Sequence, residues 1–358
     1  MHFRSLCLVL ALLAGTTSVH AQSLENNLGE VAESYARPYV QPFVNALGNN
    51  LNSGLFHPST SGRKLFAPRF TAGILGYATL LPLDELQFNT AFQDTLQLEV
   101  EFEGERYDAS VPAVFVVQDA PTTYGGGPGV VRIRIDDTVT LNRDGQPDAT
   151  VAIDTTLAYE SIAGLVNTEL ALAGVPYVEF GTVLGLDVLL RFVPELDVRD
   201  YGRASFRGAG ARLNLRPYLP VLPFDVSVHA AVQSLDAEDN DGLFEMQAEM
   251  EAAGATASAT GAFWRLYATL QWERTTVDWR YVYDPTDAVT QTVFLEEGIE
   301  LPVDIEPTEI TFRSEGFDQR RVEVGFAINV RPLTIRGGYT AGEWTALHLG
   351  VGLLVGGK

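Results

Sequence analysis

The sequence predicts an all-β chain that forms a closed antiparallel transmembrane β-barrel of about 12–14 strands, with a short N-terminal helical segment. Three observations predict this fold. Long stretches place an apolar side chain at every second position, which is the period of a strand with two different faces. The chain opens with an export leader. No later segment reaches the roughly 18 apolar residues that a membrane-spanning helix needs.

The leader occupies residues 1–21. Arg4 supplies a positive charge, the apolar run LCLVLALLAG follows, and small residues precede an expected cleavage between Ala21 and Gln22. The single cysteine, Cys7, lies inside this leader. The mature chain is therefore expected to form neither a disulfide nor a thiolate metal site.

The charge of the chain is strongly acidic, with a formal net charge of −22. Lys64 and Lys358 are the only lysines, so the other 22 of the 24 Lys and Arg residues are arginines. Such a surface repels nucleic acid, so no nucleic-acid partner is expected. Adaptation for solubility or high salt, and a specific role in binding cations, both remain open.

Residues 22–55 are predicted to form an amphipathic helical segment, because Leu24, Leu28, Val31 and Tyr35 recur at spacings of three and four. A helix at the barrel rim or on its periphery is favoured over a plug in the lumen. Residues 56–358 are assigned to the barrel itself.

Two-residue alternation dominates from Phe70 onward, most clearly in 178–192, 224–233, 321–331 and 345–355. Short turns alternate with long acidic connections, as in outer-membrane barrels. Residues 244–260 fit a helix and a strand equally well.

The stretch WRLYATLQWE, residues 264–273, indicates where the apolar faces point. Trp264 and Trp272 end an apolar row that would span about 20 Å along the membrane normal, close to the apolar band of roughly 25 Å between the aromatic girdles of such barrels. Trp suits this boundary because its ring is apolar and its N–H needs a partner. The alternative is a secreted soluble β-sandwich, in which the same row would be core.

The opposite faces of these strands carry charges that are expected to line the lumen. The candidates are Glu179, Asp187, Arg191, His229, Arg265, Glu273, Arg321, Glu323 and Arg331. They favour a passive channel or transporter for a small or hydrophobic solute. The alternative is a non-conducting structural or surface-interaction barrel, because small barrels fill their interiors with side chains.

Several stretches resemble one family of Gram-negative outer-membrane β-barrels that carries a domain-of-unknown-function label. They are GLVNTELALAGVPYVEFGTVLGLDVLLRFVPEL (164–196), LPFDVSVHAAVQSL (222–235) and LYATLQWERTTVDWRYVY (266–283), and PTTYG (121–125) is similar to a short element of that family. The resemblance implies a location in the outer membrane and a barrel fold. It implies no activity.

Motifs of catalysis or metal binding are weak. Ser227 and His229 share one strand face without a third catalytic partner, so a polar lumen pair is favoured over a hydrolase. Asn142, Asp144 and Asp148 have part of a calcium-loop spacing, but an Asp-Gly hairpin turn explains them as well. The chain is therefore expected not to be an enzyme and to need no cofactor. Its expected partners are the lipids of the outer membrane and the barrel-assembly machinery.

Overall fold

The computed structural model describes residues 33–56, 66–102, 105–143, 146–197, 202–219, 224–283 and 308–356. These residues form one α-helix, a 3-10 turn at Leu83–Glu85 and fifteen strands. The elements are α1 (Glu33–Leu51), β1 (Phe66–Leu80), β2 (Gln87–Phe102), β3 (Glu105–Pro121), β4 (Val130–Arg143), β5 (Gln146–Glu160), β6 (Leu170–Val183), β7 (Leu186–Asp197), β8 (Arg203–Asn214), β9 (Asp225–Glu238), β10 (Phe244–Thr260), β11 (Trp264–Tyr283), β12 (Thr308–Glu315), β13 (Gln319–Val330), β14 (Leu333–Ala341) and β15 (Thr345–Gly356).

Ten strands close into an antiparallel barrel, in the order β1, β6, β7, β8, β9, β10, β11, β13, β14 and β15. Strand β15 returns to pair with β1 from Thr345↔Leu80 to Gly356↔Arg69, which completes the ring. The prediction of a closed all-β barrel is confirmed, whereas the prediction of 12–14 barrel strands is wrong.

Five of the fifteen strands lie outside the barrel ring. Strands β2 to β5 form a separate four-stranded sheet inserted in the chain between β1 and β6. Strand β12 pairs with residues 276–283 of β11, beyond the part of β11 that pairs with β13. Strand alternation arises in any sheet with one buried face. Counting alternating segments therefore could not separate the inserted sheet from the barrel wall.

The two ends of the barrel differ. One end, here called the turn end, carries the connections 184–185, 215–224, 261–263 and 331–332. The other end, here called the insertion end, carries the two longest connections, which are the inserted sheet within 81–169 and the connection that includes β12, together with the shorter connections 198–202, 239–243 and 342–344. The loop asymmetry expected of outer-membrane barrels is thus present.

The apolar faces of the barrel strands point outward. Leu266, Leu270 and Leu349 are each more than half exposed, whereas their inward neighbours Tyr267 and Gln271 are buried. A β-sandwich would bury these leucines between two sheets. The soluble-sandwich alternative is therefore wrong.

Residues 244–260, left open between helix and strand, form β10. Its inward face is apolar at Met246 and Met250 and polar at Thr256 and Ser258. Because the inward face changes from apolar to polar along the strand, the sequence does not alternate regularly over its whole length. The pattern therefore did not distinguish a strand from a helix.

Within the part of the chain that the structure covers, no helix has both the length and the apolar character to cross a membrane.

Candidate functional site

The candidate site is the barrel interior, where eight of the nine predicted lining residues lie. The buried ones are Glu179, Asp187, Arg191, His229, Arg265, Glu273, Arg321 and Glu323. Arg331 is exposed at the turn between β13 and β14, so its assignment to the lumen is wrong. Strand β13 ends at Val330, and the alternation that orients side chains ends with it.

The interior charges near the turn end form one ion cluster. Arg69 lies 2.5 Å from Glu179 and 3.3 Å from Asp187. Arg212 lies 3.1 Å from Glu179 and also bonds Asp187. Arg336 lies 3.9 Å from Glu179 and stacks over the ring of Tyr177. Charges buried this deeply are tolerated only when they are paired and hydrogen-bonded.

A second group of charges lies further toward the insertion end. Arg321 pairs with Glu273 at 2.9 Å. The Tyr267 hydroxyl donates to Glu323 at 2.9 Å, and His348 lies 3.7 Å from the same carboxylate. The charged inner face therefore combines pairs between neighbouring strands, such as Arg321–Glu273, with contacts that skip a strand, such as His348–Glu323.

Residues 33–56, here called the N-terminal plug, enter this interior. Arg191 donates to the carbonyl oxygens of Leu51 at 2.7 Å, Ser53 at 3.3 Å and Gly54 at 3.2 Å. Gly54 N–H donates to Glu323 at 3.0 Å. The expectation that this segment lies at the rim or periphery is wrong, because these partners are buried lumen residues.

Three further contacts hold the end of the plug. The Gln233 amide donates to the Leu51 carbonyl at 3.0 Å, and the Gln271 amide donates to the Asn52 carbonyl at 2.9 Å. Arg321 donates to both oxygens of Asn49, at 3.0 and 2.9 Å. The predicted lining residues Arg191 and Arg321 thus bind backbone carbonyls of the chain itself.

The helix that precedes these contacts fills the insertion end. Asn49 donates to the Thr79 hydroxyl at 3.1 Å, and that hydroxyl donates to Asn50 at 2.8 Å. Arg37 donates to the Arg313 carbonyl on β12 at 2.6 Å. The helix therefore spans from the β12 extension down to the middle of the lumen.

An apolar inner surface surrounds the helix at the insertion end. Trp279 and Tyr281 on β11 and Phe312 on β12 are buried in one cluster with Val40 and Val44 of the helix. The inserted sheet joins the same cluster through buried side chains that include Phe115, Val131 and Ile133. Within this cluster, burial raises the pKa of Tyr35 to about 12.

The predicted aromatic girdle residues lie on the outer face. Trp264 and Trp272 are 40% and 38% exposed, which is intermediate between a buried ring and one in open solvent. The Trp272 indole N–H donates to Asp318 at 2.6 Å. This combination of an exposed ring and a satisfied N–H suits a boundary between hydrocarbon and water.

Other predicted positions do not assemble into a site. His229 contacts Gln271 at 3.3 Å and the ring of Phe56 at 5.4 Å between centroids. Of the calcium candidates, Asn142 and Asp148 lie on β4 and β5, and Asp144 lies outside the described residues. The predicted cleavage position at Ala21 and Gln22 also lies outside them. Across the described part of the chain, no three metal-ligating side chains come together.

Sequence reasoning missed three arginines of the lumen, Arg69, Arg212 and Arg336. Each of the last two stands at an inward position between outward residues, Arg212 between Ala211 and Leu213, and Arg336 after Ile335. The same alternation that selected the other candidates could have found them. In the strands of Arg212 and Arg336, glycine and alanine weaken the apolar stripe that marks the outward face.

Comparisons with solved structures find outer-membrane barrels at very low similarity. The transport unit of the autotransporter AIDA-I from Escherichia coli shares 12% identity over 89% of this chain and 98% of that one, with a TM-score of 0.27. OccAB4 from Acinetobacter baumannii shares 9% over 84% and 100%, with a TM-score of 0.19. OprD from Pseudomonas aeruginosa shares 8% over 85% and 97%, with a TM-score of 0.17.

No curated protein matches the chain. Residues 1–355 match a family of unknown function, DUF6588. The match covers nearly the whole sequence. The chain therefore belongs to the DUF6588 family.

Proposed function

We propose that this chain is an outer-membrane β-barrel that passes a small or hydrophobic solute when its N-terminal plug leaves the lumen. The observation that carries the proposal is the set of hydrogen bonds from buried lumen side chains to the backbone of residues 49–54. The proposed role is passage and involves no catalysis.

The outer face supports a location in a bilayer. The exposed apolar side chains of the wall strands, here called the apolar belt, include Phe180, Leu190, Val232, Leu270 and Leu349. Only a closed barrel lets β-strands cross hydrocarbon without unsatisfied backbone groups. The secretory leader and the loop asymmetry together favour the outer membrane, with the insertion end outside the cell and the barrel-assembly machinery as the route of insertion.

Next to the apolar packing of the helix, the polar contacts of residues 49–52 favour a movable plug over a permanently packed interior. Asn49, Asn50 and Asn52 meet the wall through side-chain hydrogen bonds, each of which contributes a net ~0.5–1.5 kcal/mol because water can replace it. A permanently filled barrel would gain more from apolar packing at these positions. The polar contacts therefore suit a segment that leaves and returns.

A disulfide lock tests the proposal. Cys7 is the only cysteine of the sequence and is removed with the proposed leader, so introduced cysteines have no competing thiol. Asn49→Cys with Thr79→Cys would join the plug to β1 at the site of an existing hydrogen bond, which is 3.1 Å between Asn49 Nδ2 and Thr79 Oγ1. In planar bilayers we expect brief openings of the unmodified protein, their loss in the oxidised variant and their return on reduction.

A matched control carries Ile335→Cys and Val351→Cys, which are register partners on the outer faces of β14 and β15. Its disulfide is expected to leave the openings unchanged. A barrel that stays closed with and without the lock, and that takes up no solute in liposomes, would instead be a non-conducting structural barrel.

A further inference from the structure

We propose that the barrel wall contains a lateral opening between β6 and β7, through which an apolar solute passes between the lumen and the outer half of the bilayer. The opening, here called the seam, lies between residues 170–176 of β6 and 192–197 of β7. The inference rests on the proposed function and adds to it the route and the chemical class of the solute.

Strand pairing defines the seam. Strands β6 and β7 pair from Val183↔Leu186 to Tyr177↔Arg191, and the pairing ends there. Beyond that rung, β6 continues to pair with β1 as far as Leu170↔Leu80. Strand β7 continues to pair with β8 as far as Asp197↔Arg203. Each strand therefore has one partnered edge and one edge that faces the seam.

Two prolines explain why the ladder stops. The next rung would pair Pro176 with Phe192, and the rung two residues further would pair Gly174 with Pro194. Proline has no N–H to donate to a ladder and is confined to edges and bulges. Strand β7 also shifts register against β8 between Val193 and Leu196, the interval that contains Pro194. Both edges are thus blocked at neighbouring rungs.

The seam begins within the apolar belt. Phe192 on β7 is 62% exposed and Leu172 on β6 is 47% exposed, on the outward faces that border it. Both strands lead from this level toward the insertion end, which the proposed orientation places outside the cell. The seam therefore opens toward the outer leaflet.

The lumen surface at the seam and just below its last paired rung indicates the class of solute. Val175 of β6 and Leu189 of β7 belong to one buried apolar cluster with Leu55 of the plug and Leu75 of β1, and Val193 packs against it. An apolar molecule could pass between this surface and lipid without losing its apolar surroundings. Addition of a partner's strand is disfavoured, because prolines on both edges remove the donors that such pairing uses.

One residue joins the seam to the plug. Arg191 forms the last rung with Tyr177, and its guanidinium binds the carbonyls of Leu51, Ser53 and Gly54. When the plug leaves the lumen, Arg191 loses these three carbonyl partners. Departure of the plug and access through the seam are thus linked through Arg191.

A disulfide across the seam tests the route. Gly174→Cys with Pro194→Cys would close it, and the Ile335→Cys, Val351→Cys pair on β14 and β15 is the matched control. The protein is reconstituted in liposomes with a diazirine-bearing hexadecane dissolved in the bilayer and is then irradiated. Mass spectrometry compares labelling of inward Leu189 with that of outward Leu349.

We expect the seam disulfide to lower Leu189 labelling at least tenfold relative to Leu349, with recovery on reduction and no effect of the control disulfide. A second variant, Pro176→Val with Pro194→Val, supplies the two backbone N–H donors that the prolines lack. It is expected to lower Leu189 labelling and to slow amide exchange at Phe192. Retained heat-modifiable gel mobility shows that each variant is folded.

The plug lock described above separates the two proposals. Labelling of Leu189 that persists with the seam disulfide but disappears with the lock overturns the seam and supports the plug. Labelling that disappears with the seam disulfide but persists with the lock supports the seam and overturns gating by the plug. Leu189 labelling that neither disulfide changes overturns both.

Discussion

Glu273 and Arg274 are neighbours on β11, and the polarity of the strand reverses around them. Glu273 is buried in the lumen beside Arg321, and Arg274 lies outside, 3.5 Å from Glu315. Toward the turn end, the outward residues are apolar up to Trp272 and the inward ones are polar. Toward the insertion end, the inward residues Val277 and Trp279 are apolar. One strand thus spans a bilayer and then continues as a sheet in water.

A charge in the middle of the outer apolar row should be costly. Ala268 lies halfway between Trp264 and Trp272 on the outward face, so Ala268→Arg is expected to lower the free energy of unfolding by about 2–4 kcal/mol in liposomes. Urea titration followed by tryptophan fluorescence measures the change. The control Thr276→Arg lies beyond the reversal and should change stability by less than about 0.5 kcal/mol. Equal effects of both variants would contradict a bilayer boundary near Trp272.

The buried pair Arg321–Glu273 should matter mainly when it is broken on one side. Arg321→Met leaves Glu273 buried without its cation and removes two bonds to Asn49, so a loss of about 3–5 kcal/mol is expected. The double variant Arg321→Met, Glu273→Leu should recover most of that loss. Unfolding free energies of the three proteins give the comparison. A double variant as unstable as the single one would show that the contacts to Asn49 dominate.

The plug should be sensitive to size at Gly48. A Cβ built there would lie 2.3 Å from the Thr275 hydroxyl oxygen and 3.0 Å from its Cβ. Gly48→Leu is therefore expected to displace the helix from β11 and to make residues 33–56 accessible to protease in intact liposomes. Gly76→Ala is the control, since its nearest contact would be a carbonyl oxygen at 3.7 Å. Protection of the plug in Gly48→Leu would show that the wall yields instead.

The attachment of β12 to β11 should weaken in acid. Two hydrogen bonds from Arg313, at 2.6 and 2.7 Å, hold the pKa of Asp278 below its usual range. A lowered folded pKa means that the stabilisation is complete above the unfolded pKa, about 4, and is lost as pH falls through the folded value. Because both side chains are half exposed or more, the expected effect is at most about 1 kcal/mol.

Amide exchange of residues 310–313, corrected for the intrinsic rate, measures this attachment between pH 6 and pH 3. Protection is expected to fall with pH in the unmodified protein. In Asp278→Asn it should be lower at pH 6 and change little. A parallel fall in both proteins would assign the acid sensitivity to other carboxylates.

The sequence by itself determined which side of each strand faces lipid. Successive side chains of a strand point to opposite faces, so Glu179, Asp187 and Arg191 had to lie opposite Phe180, Val188 and Leu190. This periodicity is local and holds whatever the strand pairs with. For the same reason it failed at Arg331, which lies in a turn, and on β10, where the polarity of each face changes partway along.

The tertiary structure alone decided the number of wall strands, the place of the helix and the partners of the lumen charges. Strands β2 to β5 alternate like barrel strands, and only non-local pairing shows that they form their own sheet. The sequence identified Arg191 as a lumen residue, but its bonds to Leu51 and Gly54 join residues about 140 positions apart. Which groups meet inside a closed barrel depends on its register and diameter, which are properties of the whole ring.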